Sequence, residues 1–169
     1  MVKPGMAAMA VFAFGASLAA SPALADTSGD AAIKALEAKF AAAVSAKDLD
    51  GIMKVYVPDE SLFVFDVAPP RQYAGAAAYR KDWSAFLAGY KGPIKFTLSD
   101  LVVQSAGPVG WGHSIQRVVG VDVNGQPSDV TVRVTDVYRK IDGRWLIVQE
   151  HVSVPVDLAT GKADLASKP

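Results

Sequence analysis

Cysteine is absent from the 169 residues, so neither a disulfide nor a thiolate enters the chemistry. Histidine occurs only at His113 and His151, with no short spacing such as His-x-x-x-His, so no metal ion is expected, and no cofactor either. An excess of one charge is also missing: 17 basic residues balance 17 acidic ones. No Lys/Arg run exceeds Arg80-Lys81 or Arg139-Lys140. Displacing counterions from a phosphate backbone needs a clustered basic face, so nucleic acid and anionic membrane surfaces are not expected partners. A Gly-x-Ser-x-Gly elbow is lacking too, which leaves Ser114 and Ser153 without the setting of a nucleophilic triad.

The longest apolar run, residues 6–20, falls short of the roughly 20 residues that cross a bilayer core. It follows Lys3 and is closed by Ser21-Pro22-Ala23-Leu24-Ala25, the pattern of a secretory signal with an Ala-x-Ala cleavage site. The sequence therefore divides into a signal peptide over residues 1–25, one domain over 26–156 and a flexible tail over 157–169. Export is expected, to the periplasm or beyond, with no membrane attachment after cleavage. A cysteine-free exported chain must be held by its core, and ~140 residues suffice because close to 70% of the unfolded surface is buried at that size.

Along the domain, Ile33, Leu36, Phe40, Ala43 and Val44 recur at three- and four-residue spacing, with Lys34, Glu37 and Lys39 between them, and predict an amphipathic helix over 29–46. A short second helix over 48–56 stops before Pro58. Residues 62–67, dense in aromatic and β-branched side chains and closed by Pro69-Pro70, predict a strand. Ala76, Tyr79, Trp83, Phe86 and Leu87 place a third helix over 75–89. Four long strands follow, over 94–104, 109–123, 130–140 and 144–156. Asn124-Gly125 and Asp142-Gly143 suit tight hairpins, so the last strands form an antiparallel meander. The fold class is α+β, with helices packed on one face of an antiparallel sheet.

Strand alternation sorts the side chains. Val130, Val132, Val134, Asp136 and Tyr138 share one face of the third long strand. In the last strand Leu146, Val148, Glu150, Val152 and Val154 share a face opposite Trp145, Ile147, Gln149, His151 and Ser153. Asp66 has the parity of Leu62 and Val64. Carboxyls among valines are costly to ionise without partners, which points to a polar cavity beneath the helices. Blander alternatives stand beside this: Asp66 as a turn residue, Asp136 as a core acid bonded to Tyr138, and Glu150 paired with Arg117 or Arg133 at a sheet edge. Trp83, Trp111 and Trp145 suit core or interface positions.

The segments Asp48-Leu49-Asp50-Gly51-Ile52 through Tyr56, Gly75-x-x-x-Tyr79-Arg80, Thr135-Asp136-Val137-Tyr138 through Asp142-Gly143-Arg144-Trp145, and His151-Val152-Ser153-Val154-Pro155 resemble the SnoaL-like, ketosteroid-isomerase-like proteins of the NTF2-like superfamily. The resemblance runs from about Ile33 to Pro155 and implies a cone-shaped α+β barrel of the cystatin-like kind. In ketosteroid isomerases one carboxylate moves a proton alpha to a carbonyl, while a tyrosine and a neutral aspartic acid hold the oxyanion. By motif position the resemblance implies Asp66 as the base and Asp136 as the oxyanion acid. The family tyrosine is replaced by Phe40.

Two functions follow. One is a proton-transfer enzyme of the isomerase or cyclase kind, with catalytic Asp66 and Asp136 and a pocket shaped by Tyr79, Trp83, Gln116, Glu150 and Val152. The other is a non-catalytic ligand-binding or homodimerisation module whose outer sheet face, with Trp111, His113, Arg133, Trp145 and His151, meets a second copy. A structural domain with all carboxyls satisfied is the third and blandest. Either of the first two takes a small neutral or phenolic organic ligand, and a homodimer is expected.

Overall fold

The computed structural model describes residues 27–166 of the chain; the expected signal peptide and its cleavage site lie outside them. Helix α1 spans Thr27–Ser45, α2 Leu49–Met53 and α3 Ala76–Ala88. The strands are β1 Phe63–Phe65, β2 Tyr73–Ala74, β3 Lys95–Ala106, β4 Val109–Val121, β5 Pro127–Ile141 and β6 Arg144–Ser153. Two more, β7 Val156–Asp157 and β8 Lys162–Ala163, follow in the tail. Among the described residues no helix is long and apolar enough to cross a membrane.

Six strands form one sheet in the order β2-β1-β6-β5-β4-β3. The meander β3 to β6 is antiparallel throughout, whereas β1 lies parallel to β6, with Val64 opposite Glu150. Tyr56 extends the parallel pairing along β6, opposite Ile147, and parallel neighbours need a connection longer than a hairpin, here the whole run from β2 to β5. The sheet is open, with β2 and β3 at its edges, and the helices cover its inner face.

Helix α1 packs its stripe of Ile33, Leu36, Phe40, Ala43 and Val44 into the core. Glu37 is buried with them, at 1% exposure. The polar position expected for it is corrected by helical arithmetic: four residues after Ile33 and three before Phe40, it lies on the apolar stripe. Asp48 caps α2, its carboxylate accepting from the Gly51 N–H at 2.9 Å. Gly75 precedes α3 at φ 85, a conformation open to glycine without steric cost.

The alternation expected for β6 is interrupted. Val137 pairs with Gln149, but Tyr138 pairs with Ile147, so Val148 is an extra residue. Such a bulge reverses side-chain parity on either side of it. Trp145 and Ile147 therefore point inward along with Glu150, and Trp145 is buried in the core instead of lying on the outer face as expected. Trp111, His113, Arg133 and His151 do lie on exposed positions, with Trp111 and His113 stacked at 6.1 Å.

The segment expected to be a loose tail contains the β7–β8 pairing. Beyond it, the Leu165 carbonyl accepts from the Thr131 N–H at 2.8 Å, beside the stretch of β5 that β6 is too short to reach, the last β5–β6 pair being Arg133 with Ser153.

Candidate active site

A cavity of about 260 Å3 opens where β6 ends, slightly below the roughly 300–1,000 Å3 usual for ligand pockets. Its apolar walls come from Phe86 of α3, Phe96 of β3, Val118 of β4, Val130 and Val132 of β5, and Val152 of β6. Strand pairing sets these side by side: Phe96 faces Val118, Val118 faces Val130, and Gln116 faces Val132. Tyr79, Asp82, Trp83 and Phe86 reach it together because positions i, i+3, i+4 and i+7 share one helix face. Asp66, Val67 and Ala68, just after β1, form the remaining wall.

Six of the seven site residues expected from the sequence thus line one cavity: Asp66, Tyr79, Trp83, Gln116, Glu150 and Val152. Asp136 does not. It lies behind the wall, buried opposite Glu150 in the β5–β6 register. The sequence reading missed Asp82, Tyr56 and Glu37. Asp82 follows Tyr79 by three residues on α3, a signal that was present; Tyr56, expected at the end of a helix over 48–56, instead follows α2, which ends at Met53, and pairs with β6 opposite Ile147.

Glu150 is buried at the cavity wall and holds two phenols. The Tyr56 hydroxyl donates to Oε2 at 2.8 Å, and the Tyr79 hydroxyl donates to Oε1. The expected alternative pairing of Glu150 with Arg117 or Arg133 is not found: Arg117 instead forms a two-pronged bond with Asp129, at 2.7 and 2.6 Å. Burial pushes the Glu150 carboxyl up to about 7, against the two phenol hydrogen bonds, which pull it down. A desolvated carboxylate loses hydration that two donors only partly replace.

Asp66 is half-buried and accepts from the Val67 N–H. Burial first, then the neighbouring Asp82 carboxylate, raise it above the usual carboxylate range despite the backbone donors. Asp82 in turn accepts from the Tyr73 hydroxyl at 2.6 Å. No lysine, arginine or histidine lines the cavity. Among the described residues no group of three or more His, Asp or Glu is arranged to hold a metal ion.

Phe40, standing where the resemblance places a tyrosine, is deep in the core with its ring edge-on to Tyr56, Trp83 and Phe96 at 6.2, 5.6 and 5.6 Å. The hydroxyls near the site come from Tyr56, Tyr73 and Tyr79 instead. The Trp83 Nε1–H is buried without a hydrogen-bond partner.

The fold is shared with solved structures. A solved NTF2-like protein of unknown function from Pseudomonas putida KT2440 is 30% identical, with a TM-score of 0.77 over 86% of this chain and 99% of that one. An NTF2-like superfamily protein from Salmonella enterica serovar Typhimurium LT2 aligns at 16% identity and TM-score 0.71, over 82% of this chain and 99% of its own. A protein from Novosphingobium aromaticivorans DSM 12444, provisionally named a scytalone dehydratase, aligns at 14% identity and TM-score 0.69, over 85% and 97%. At such identities the last two show a shared fold and nothing more. No curated protein matches the chain. The SnoaL-like domain is matched over residues 33–157. The chain belongs to the SnoaL-like domain family, with an NTF2-like fold.

Proposed function

We propose that this is an exported protein that binds a small ring ketone, a phenol-bearing one included, and transfers a proton at the carbon next to its carbonyl. The observation that supports this reading is the convergence of Asp66 and Glu150 in one largely apolar cavity. A carboxyl that changes charge near neutrality is matched to general acid–base work, and Glu150 is pushed up to about 7. The cavity's size suits a compound of one or two rings, and its lack of basic lining disfavours an anion.

In this reading Asp66, at the less buried end, takes the proton from carbon. Glu150 in its protonated form donates to the carbonyl oxygen as negative charge develops there, a role that pays only if the donor is already in place. Glu150 thus takes the part that the resemblance assigned to its cross-strand neighbour Asp136. Gln116 supplies a second polar contact, and Trp83, Phe86 and Val152 hold the ring. The structural relative provisionally named a dehydratase is in keeping with a fold that accommodates such chemistry.

Exposed Trp111, Val109 and Val102 on the outer sheet face favour a homodimer through that face, the second element of the proposal.

The test is a split between binding and turnover. Ring ketones that bind the exported protein, by calorimetry, are to be turned over by the wild type and, with affinity unchanged, about 100- to 10,000-fold more slowly by Asp66→Asn. Full turnover in that variant removes Asp66 as the base. Binding without turnover in the wild type leaves the non-catalytic reading.

A further inference from the structure

Behind Glu150, away from the cavity, two more carboxyls are buried in line with it. Asp136 of β5 lies opposite Glu150, and the Tyr138 hydroxyl is 3.4 Å from Asp136 Oδ2 and donates to Glu37 Oε1 at 2.8 Å. The row is fed from three elements in two layers: Glu37 from α1, and Asp136 and Tyr138 of β5 and Glu150 of β6 from the sheet. Gly112 of β4 makes the crossing possible, since a Cβ there would meet the Val102 carbonyl at 2.9 Å and the Tyr138 hydroxyl at 3.3 Å. Glu37 and Asp136 do not line the cavity. Neither of the ion pairs Arg80–Asp50 and Arg117–Asp129 touches the row.

Counting protons assigns the charges. A phenol has one hydrogen to give. Tyr56 and Tyr79 give theirs to Glu150, and Tyr138 gives its own to Glu37 over the shorter distance. Asp136 is left without a good donor: Oδ1 has no partner. An ionised carboxylate with no donor in an apolar setting is the costliest arrangement, so Asp136 keeps its proton. Glu37 and Glu150 are then the two members free to change charge, and like charges in one low-dielectric row oppose each other.

We propose that Glu37, which does not reach the cavity, is a positioning residue that keeps the proton on Glu150 toward neutral pH by repulsion across Tyr138 and Asp136. Its functional meaning rests on Glu150 being the proton donor of the cavity; the coupling itself belongs to the folded chain whether or not a ligand reacts. The other groups facing Glu150 are Tyr56, Tyr79 of α3, and Asp66, whose charge also favours the protonated form. Asp82 and Tyr73 act one step further out, through Asp66. In support, burial pushes Glu37 up to about 7 as well and Asp136 well above the usual carboxylate range, and Glu37 contributes to the rise of both Glu150 and Asp136.

The test is a carbon-13 NMR titration of the side-chain carboxyls in the ligand-free protein, comparing wild type, Glu37→Gln, Tyr138→Phe and Asp136→Asn. Glu37→Gln still accepts the Tyr138 hydrogen but has no charge, and the Glu150 midpoint is expected to fall by roughly one pH unit, the scale that separates coupled from independent groups. Tyr138→Phe removes the donor that favours ionised Glu37 over its protonated form and is expected to move Glu150 in the same direction, which covers the case of either variant failing to fold. Asp136→Asn, replacing a neutral acid by a neutral amide, is expected to leave the midpoint in place. A Glu150 midpoint unmoved in the folded Glu37→Gln or Tyr138→Phe protein overturns the proposal, as does an equal fall in Asp136→Asn. A fall of the Glu150 midpoint in Glu37→Gln, found for a chain whose wild type turns over no ketone, upholds the coupling and removes only the proposed reaction.

Discussion

Asp136 and Glu150 face each other across β5 and β6, yet only Glu150 lines the cavity. Of these two facing acids, one therefore reaches the cavity and the other lies behind it. Donors follow the same division, with two phenols on Glu150 and a buried oxygen of Asp136 left without a partner.

Tyr79→Phe removes a hydrogen bond that stabilises ionised Glu150. Its effect on Glu150 is a further rise of the carboxyl above about 7, and the descending limb tied to this group in a rate–pH profile moves to higher pH. A limb that stays or moves down shows that the Tyr79 hydroxyl does not favour the ionised form.

Stability has a pH dependence of definite sign. Glu37 and Glu150 are raised in the folded state from the ordinary value 4.5 to about 7. The folded chain therefore binds more protons than the unfolded one between those limits. The contribution is fully present below about 4.5, is lost as pH rises, and is gone above about 7. Urea midpoints measured from pH 5 to 7.5 are expected to fall, with a slope of up to about 1.4 kcal/mol per pH unit for each group. Midpoints that rise across that window contradict the burial of ionisable carboxyls.

Trp145 and Trp111 are to behave differently. Trp145→Ala leaves a hole in the core and is expected to cost about 3–5 kcal/mol of stability in chemical denaturation. Trp111, 44% exposed, is expected to cost little when changed to Asp, while a dimer held by the outer sheet face dissociates in sedimentation. A fully stable Trp145→Ala protein contradicts the bulge-shifted register of β6.

Val152→Phe extends a ring into the cavity from β6. Ligand binding is expected to fall at least about tenfold, with the thermal transition nearly unchanged because the added ring fills open space. Undiminished binding places the ligand elsewhere.

Much of this was legible in the sequence. Period-2 alternation put Val130, Val132, Val134, Asp136 and Tyr138 on the inner face of β5, and helical spacing put Tyr79 and Trp83 on the inner face of α3, as the structure has them. The resemblance gave the fold. What failed did so for local reasons. A single extra residue, Val148, turned Trp145 inward, and no composition signal marks a bulge that lacks glycine. Glu37 was read as polar by residue type when its position in the helical repeat made it a core residue. Asp136 had the right parity, but parity does not tell how far along a strand the cavity extends. Tyr56 joins the site through the tertiary path of the chain after α2, which no short-range pattern encodes.

The most direct measurement is hydrogen–deuterium exchange at the carbon next to the carbonyl of a bound ring ketone, followed by NMR in heavy water as a function of pH. Wild-type protein is expected to accelerate exchange, with Asp66→Asn and Glu150→Gln each losing most of the acceleration while still binding the ketone. Exchange in a bound ketone that proceeds no faster than in free solution, or that is untouched by both substitutions, contradicts proton transfer by these two carboxyls.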